Sequence, residues 1–126
     1  MQIKNGFELL ISFVILLALD FAYLSFNKDA YLLQIASVQR VSLQPRYLGA
    51  ILCYAFILFG LWYFILRTHR PVIEAILLGL VIYGVYETTN YATLKKWEPQ
   101  LAIMDVLWGG ALFGLTTYLT YQITKK

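Results

Sequence analysis

The sequence predicts an all-α integral membrane protein, a four-helix bundle in one transmembrane domain spanning residues 1–126. Three observations carry that expectation. Hydrophobic residues make up 60% of the chain and charged residues 13%, against about 45–50% and about 25% in soluble domains. A soluble domain this small would need more polar surface, because short chains bury a smaller share of themselves. Four apolar stretches, 7–26, 47–66, 72–92 and 101–123, each have the roughly 20 residues that a helix needs to cross hydrocarbon about 30 Å thick. The separators 67–71 and 93–100 leave room only for tight turns, so spans two and three, and three and four, are antiparallel neighbours. The same composition excludes disorder and a disulfide scaffold, the one cysteine being Cys53 inside an apolar run.

The first span is too long for the 7–15-residue core of a secretory signal, and no Ala-x-Ala-like site follows it, so it reads as a retained helix. The long connection 27–46 carries Tyr31, Ile35 and Val38 at helical spacing, widened by Leu32 and Ala36, with Asp29 as an N-terminal cap or first-turn acid. A short amphipathic helix in the interface fits that stripe; an irregular loop is the alternative. Pro71 and Pro99 sit where spans three and four begin, and a missing N–H costs nothing at a helix start.

Lys and Arg number 10 against 7 Asp and Glu. The basic residues cluster beside apolar runs, which points to lipid headgroups as their partners and away from nucleic acid. Lys4, Arg67, Arg70, Lys125 and Lys126 fall on the side of the termini, and Lys28, Arg40, Arg46, Lys95 and Lys96 on the other. That even split gives the positive-inside rule little to act on. The amino terminus, His69 and the close pair Arg67 and Arg70 lean towards cytoplasmic termini.

Three carboxylates stand well inside the spans: Asp20, Glu87 and Asp105. Alternating helix directions bring all three to a similar depth, on the side away from the termini. Helical spacing gives each a hydrogen-bonding aromatic on its own face: Tyr23 beside Asp20, Tyr83 and Tyr91 with Asn90 beside Glu87, and Trp108 beside Asp105. Arg46 is placed to supply a counter-charge. Glu8 and Glu74 read as first-turn acids close to water, and the termini-side halves of the spans read as mostly apolar beyond their end turns. Tyr47, Trp62, Tyr63, Trp97, Tyr118 and Tyr121 read as interfacial belt residues. Gly110 and Gly114 form a GxxxG pair, suited either to close packing within the chain or to a dimer face. No nucleophile elbow, phosphate loop or zinc signature occurs.

Intramembrane acids support two main readings. In the first they are the polar glue of a structural or interaction component of the membrane, self-associating or serving another membrane protein. In the second they form a one-sided vestibule of a small transporter or proton- or cation-binding protein. An intramembrane enzyme acting on a lipid through a bound metal ranks third, for want of a DDxxD-type motif. No cofactor is expected; a divalent cation fits the second and third readings.

The run Tyr86-Glu87-Thr88-Thr89-Asn90-Tyr91-Ala92-Thr93-Leu94, then Trp97, then Asp105-Val106-Leu107-Trp108-Gly109 resembles the uncharacterised membrane family known as domain of unknown function 2177. Leu19-Asp20-Phe21-Ala22-Tyr23-Leu24 and the stretch 55–64, with Gly60-Leu61 inside it, are similar to two further elements of that family. Glu87 stands where the family usually has Asp, and Tyr23 where it has Trp. The resemblance implies four spans and points to the same acids, and it brings no activity with it. Its occurrence in bacteria and in large DNA viruses leaves both cellular and viral membranes open as the host.

Overall fold

The computed structural model describes residues 3–39, 47–94 and 97–124, and all regular structure among them is helical. Helix α1 is Ile3–Phe26. After Asn27 the chain re-enters a helix at once, α2, Lys28–Gln39. Helix α3, Tyr47–Leu61, passes into a π-helical turn, Trp62–Leu66. Helices α4, Val72–Thr93, and α5, Pro99–Thr124, complete the chain. Among the described residues four segments are long and apolar enough to cross a membrane: Gly6–Phe26, Leu48–Leu66, Val72–Thr93 and Pro99–Thr124. The Glu8–Thr124 contact sets the start of α1 and the end of α5 at one end of the bundle, the termini side.

Helix α1 begins a turn earlier than the apolar run, and α5 begins at Pro99, where the Ala102 N–H already bonds the Glu98 carbonyl at 3.0 Å. Apolarity marks where a helix can enter lipid, whereas backbone bonding marks where it starts, so the two boundaries differ. Of the two readings of the long connection, the structure has the helix. Gln34, which shares the face of Tyr31 and Ile35, is buried, while Leu33 beside it is exposed. The Gln34 amide oxygen accepts the Glu98 backbone N–H at 2.6 Å, which docks α2 on the turn before α5.

Helix α5 is the axis of the bundle, packed along α4 and α1. A core of Leu16, Ile57, Leu61, Ile65, Leu66, Ala75, Leu112 and Phe113 joins α1, α3, α4 and α5. Gly79 and Gly109 meet so closely that a methyl group on Gly79 would collide with the Gly109 carbonyl. Gly110 and Gly114 are buried on the same seam. A Cβ on Gly110 would lie 2.8 Å from Leu80, and one on Gly114 would lie 2.6 Å from Ile76. The GxxxG pair therefore faces α4 of its own chain, which is the packing expected where small residues let backbones approach in lipid. Outward-facing Phe21, Phe26, Phe56 and Leu48 are exposed, as are Val81 and Leu107. Polar groups within and apolar groups without is the arrangement that hydrocarbon surroundings require.

One expectation fails on the termini side. Glu8 is fully buried, because α1 starts at Ile3 and carries it past the first turn into contact with His69. In the termini-side half of α5, Thr116, Thr117 and Thr120 are all fully buried among its apolar residues.

Candidate functional site

The three inner acids are all buried, exposing 6% (Asp20), 2% (Glu87) and 8% (Asp105). Their depths match because Asp20 lies six residues before the end of α1, Glu87 six before the end of α4, and Asp105 six after the start of α5.

Their donors differ from those predicted. Asp20 accepts the Trp108 indole N–H at 2.9 Å on one oxygen and the Tyr54 hydroxyl on the other. Asp105 accepts the Tyr31 hydroxyl at 3.1 Å, and that hydroxyl is 2.6 Å from the hydroxyl of Tyr23. Glu87 accepts the Trp97 indole N–H at 2.7 Å. Tyr23 and Trp108 stack with ring centroids 4.5 Å apart and planes 3° from parallel. One connected chain thus runs from Tyr54 through Asp20, Trp108, Tyr23 and Tyr31 to Asp105, and Glu87 with Trp97 forms a separate pair.

No acid takes its aromatic donor from its own helix. Helical side chains lean the same way along the axis, so a long aromatic one turn away carries its polar tip past a short carboxylate. It meets the acid of a neighbouring helix instead. Tyr83 lies edge-on to Phe113, with centroids 6.3 Å apart, and packs over Gly109. Asn90 is half-buried, its carbonyl accepting the Leu94 N–H at 2.8 Å. Tyr91 is exposed. Arg46 lies outside the described residues, as do Lys95 and Lys96. Among the described residues the ion pairs are His69–Glu8 and Arg70–Glu74, so no basic side chain there neutralises the three acids.

Tyr54, Tyr31 and Trp97 belong to the cluster and were not assigned to it by spacing. A buried phenol or indole needs an acceptor, and for a Tyr inside an apolar span at the depth of three acids that need was the available signal. Trp97 was read as a belt residue, and Tyr31 as part of the apolar stripe of α2. Burial holds the Tyr31 hydroxyl in its neutral form well above the usual phenol range, and its bond to Tyr23 and the nearby Asp105 carboxylate push the same way.

Two openings flank the cluster. A lateral groove of about 400 Å³ between α4 and α5 is lined by Glu87, Thr88, Tyr91, Ala102, Ile103 and Val106, among others. A wider one of about 680 Å³ lies under α2 and reaches Gln34, Glu98 and Met104. Among the described residues no three His, Cys, Asp or Glu side chains are grouped to hold a metal ion. Glu87 and Asp105 together offer carboxylate oxygens and no third ligand of that kind.

The sequence profile of DUF2177, a family described as predicted membrane proteins, matches residues 6–122. The chain belongs to this family. The match takes in the first three spans of this DUF2177 protein, all but the last two residues of the fourth, and every residue of the acid–aromatic network. No curated protein and no solved structure matches it.

Proposed function

We propose that this multi-pass membrane protein is a structural or interaction component of its membrane, its helices clasped at one face by the acid–aromatic network. The observation that carries this reading is that each donor bridges different elements. Asp20 joins α1 to α3 and α5, Asp105 joins α5 to α2, and Glu87 joins α4 to the connection before α5. In lipid no hydrophobic effect drives helices together, so interhelical hydrogen bonds of this kind add to the cohesion that close packing supplies. Breaking such a network leaves its other members unpaired, at about 1–3 kcal/mol for each orphaned group.

The experiment is thermal unfolding in detergent of Asp105→Asn and Glu87→Gln beside the parent. A fall of several degrees in both supports the clasp. A midpoint that holds or rises sinks it, because groups retained for activity tend to cost stability.

One observation favours a second reading, a proton- or cation-binding role for the same acids. Glu87 is buried at the depth of Asp105 and lines the lateral groove, and intramembrane acids beside a cavity mark ion or proton pathways. Ion-gradient-dependent flux in proteoliposomes that Asp105→Asn abolishes would establish this role, and equal flux in parent and variant would dismiss it.

A further inference from the structure

The wider opening, of about 680 Å³, lies between α2 and the first turns of α5, and no residue of the acid–aromatic network lines it. Helix α2 follows directly on the end of α1 and is docked through Gln34 on the turn before α5. The opening therefore sits at the end of the bundle away from the termini, where the spans ending at Phe26 and beginning at Pro99 meet the lipid headgroups. Met104, five residues on from Pro99, lies about 8 Å deeper at about 1.5 Å per residue. The groove thus runs from headgroup level into the acyl region.

Its lining is of two kinds. Leu33, 71% exposed, with Leu101 and Met104 offers an apolar surface, and Gln34, Glu98 and Gln100 bring polar groups. Gln34 is 5% exposed, and its amide oxygen is committed to the Glu98 backbone N–H at 2.6 Å. That bond, its single one among the described residues, fixes the amide and leaves the NH2, with two donors, for whatever occupies the groove. Gln100 and Leu101 belong to the first turn of α5, whose N–H groups lack helical acceptors and carry the positive end of the helix dipole. Glu98 is exposed and supplies a carboxylate. The groove therefore offers donors to an anionic group and an acceptor to a cationic one. Among the described residues no Lys, Arg or His lines it, so a purely anionic head meets Glu98 uncompensated, whereas a zwitterion answers both halves. A choline head has no N–H and is recognised over aromatic faces, and no aromatic residue lines this opening. A primary ammonium donates three hydrogen bonds, which suits the Glu98 carboxylate and the Gln100 amide oxygen.

We infer that the groove between α2 and the start of α5 binds an ethanolamine phospholipid. Its ammonium rests on Glu98, its phosphate takes the Gln34 NH2 and the start of α5, and an acyl chain follows Leu33, Leu101 and Met104. A volume of about 680 Å³ falls within the roughly 300–1,000 Å³ of small-molecule sites, which are likewise mostly apolar with a few placed polar groups. A phosphate at a helix N-terminus is favoured by both the free N–H groups and the dipole. The bound lipid bridges α2 and α5 alongside the Gln34–Glu98 and Tyr31–Asp105 bonds. The site stands independently of the clasp, because Gln34, Glu98 and Gln100 contribute nothing to the three inner acids.

The test reads lipid selectivity rather than stability. The protein in mild detergent is offered an equimolar mixture of ethanolamine, choline and glycerol phospholipids with identical acyl chains, and the lipids it retains are counted by native mass spectrometry. The parent is expected to retain the ethanolamine lipid several-fold over the other two. Glu98→Gln, which keeps the backbone N–H that Gln34 needs, is expected to bring the three heads to near parity. Ala30→Trp, which sets an indole into the groove from an exposed position on α2, is expected to abolish the extra retention. Should Glu98→Gln fail to fold, Ala30→Trp decides. Equal retention of the three heads by the parent, or preference for the glycerol head, overturns the proposal. A preference that survives both substitutions places the lipid elsewhere on the protein and overturns it as well. Displacement of the lipid by water-soluble glycerophosphoethanolamine at equal concentration would make the free head group the ligand and overturn a lipid as the occupant.

Discussion

Both oxygens of Asp20 are taken, one by an indole and one by a phenol, from two different helices. Such a group is stabilising only while its partners remain, so the cost of an error falls on the deleted donor. Trp108→Phe keeps an aromatic face for Tyr23 and removes the N–H. It should destabilise by about 1–3 kcal/mol, seen as a lower midpoint in detergent, while Trp97→Phe should do the same through Glu87. Equal midpoints for Trp108→Phe and parent would mean that the indole bond carries no load. Tyr31 gives a pH-dependent case. Its phenol is held neutral by burial above the unfolded value, so its contribution is complete below the unfolded phenol pKa of about 10 and is lost as pH rises beyond it. Tyr31→Phe should therefore unfold at a lower midpoint near neutrality and lose less stability than the parent on going to strongly alkaline pH. Parallel midpoint-against-pH curves would contradict this.

Helices here are held by two different devices, and the sequence displayed them unequally. The seam between α4 and α5 is made by Gly79, Gly109, Gly110 and Gly114 set against Tyr83, Leu80 and Ile76. GxxxG spacing announced half of it, but spacing alone leaves the partner open, because a small-residue face fits a second chain as well as a neighbouring helix. Substitution separates the seam from glycines elsewhere. Gly79→Ala drives a methyl into the Gly109 backbone, whereas Gly84→Ala meets nothing within 4 Å. Overpacking costs typically 1–3 kcal/mol, and here the obstacle is backbone that has no rotamer to yield. Gly79→Ala should lower the unfolding midpoint strongly, and Gly84→Ala should leave it unchanged or raise it slightly, since alanine favours helix. A reversed order would place the seam elsewhere. Helix α2 shows the opposite bias. Its helical period was legible, yet the bond that docks it, Gln34 to the Glu98 backbone, joins residues 64 apart in sequence, and no local pattern reveals it.

For the molecule as a whole, composition and run length told nearly everything about class, because the bilayer imposes one thickness and one backbone solution on every span. The acids' shared depth was legible for the same reason: depth follows from position along a helix of known rise. Rotation about each helix axis was not, and rotation decides that Tyr54 and Trp108 rather than Tyr23 reach Asp20, and that Glu8 turns inward to His69. The termini-side threonines were passed over because a threonine among leucines reads as apolar until its hydroxyl is counted. Depth and rotation together make a sharp contrast between two positions near mid-span. Phe56 lies midway along its span and is 75% exposed, so Phe56→Arg sets a guanidinium against hydrocarbon at about 2.5–3.5 kcal/mol on insertion scales. Phe56→Leu should insert and fold as the parent does. If the outward band is a lipid face, the arginine variant alone will lose membrane-integrated yield. If Phe56 instead faced a partner in a stable complex, both variants would weaken that complex, and co-purification of the chain with itself or another membrane protein would change in step.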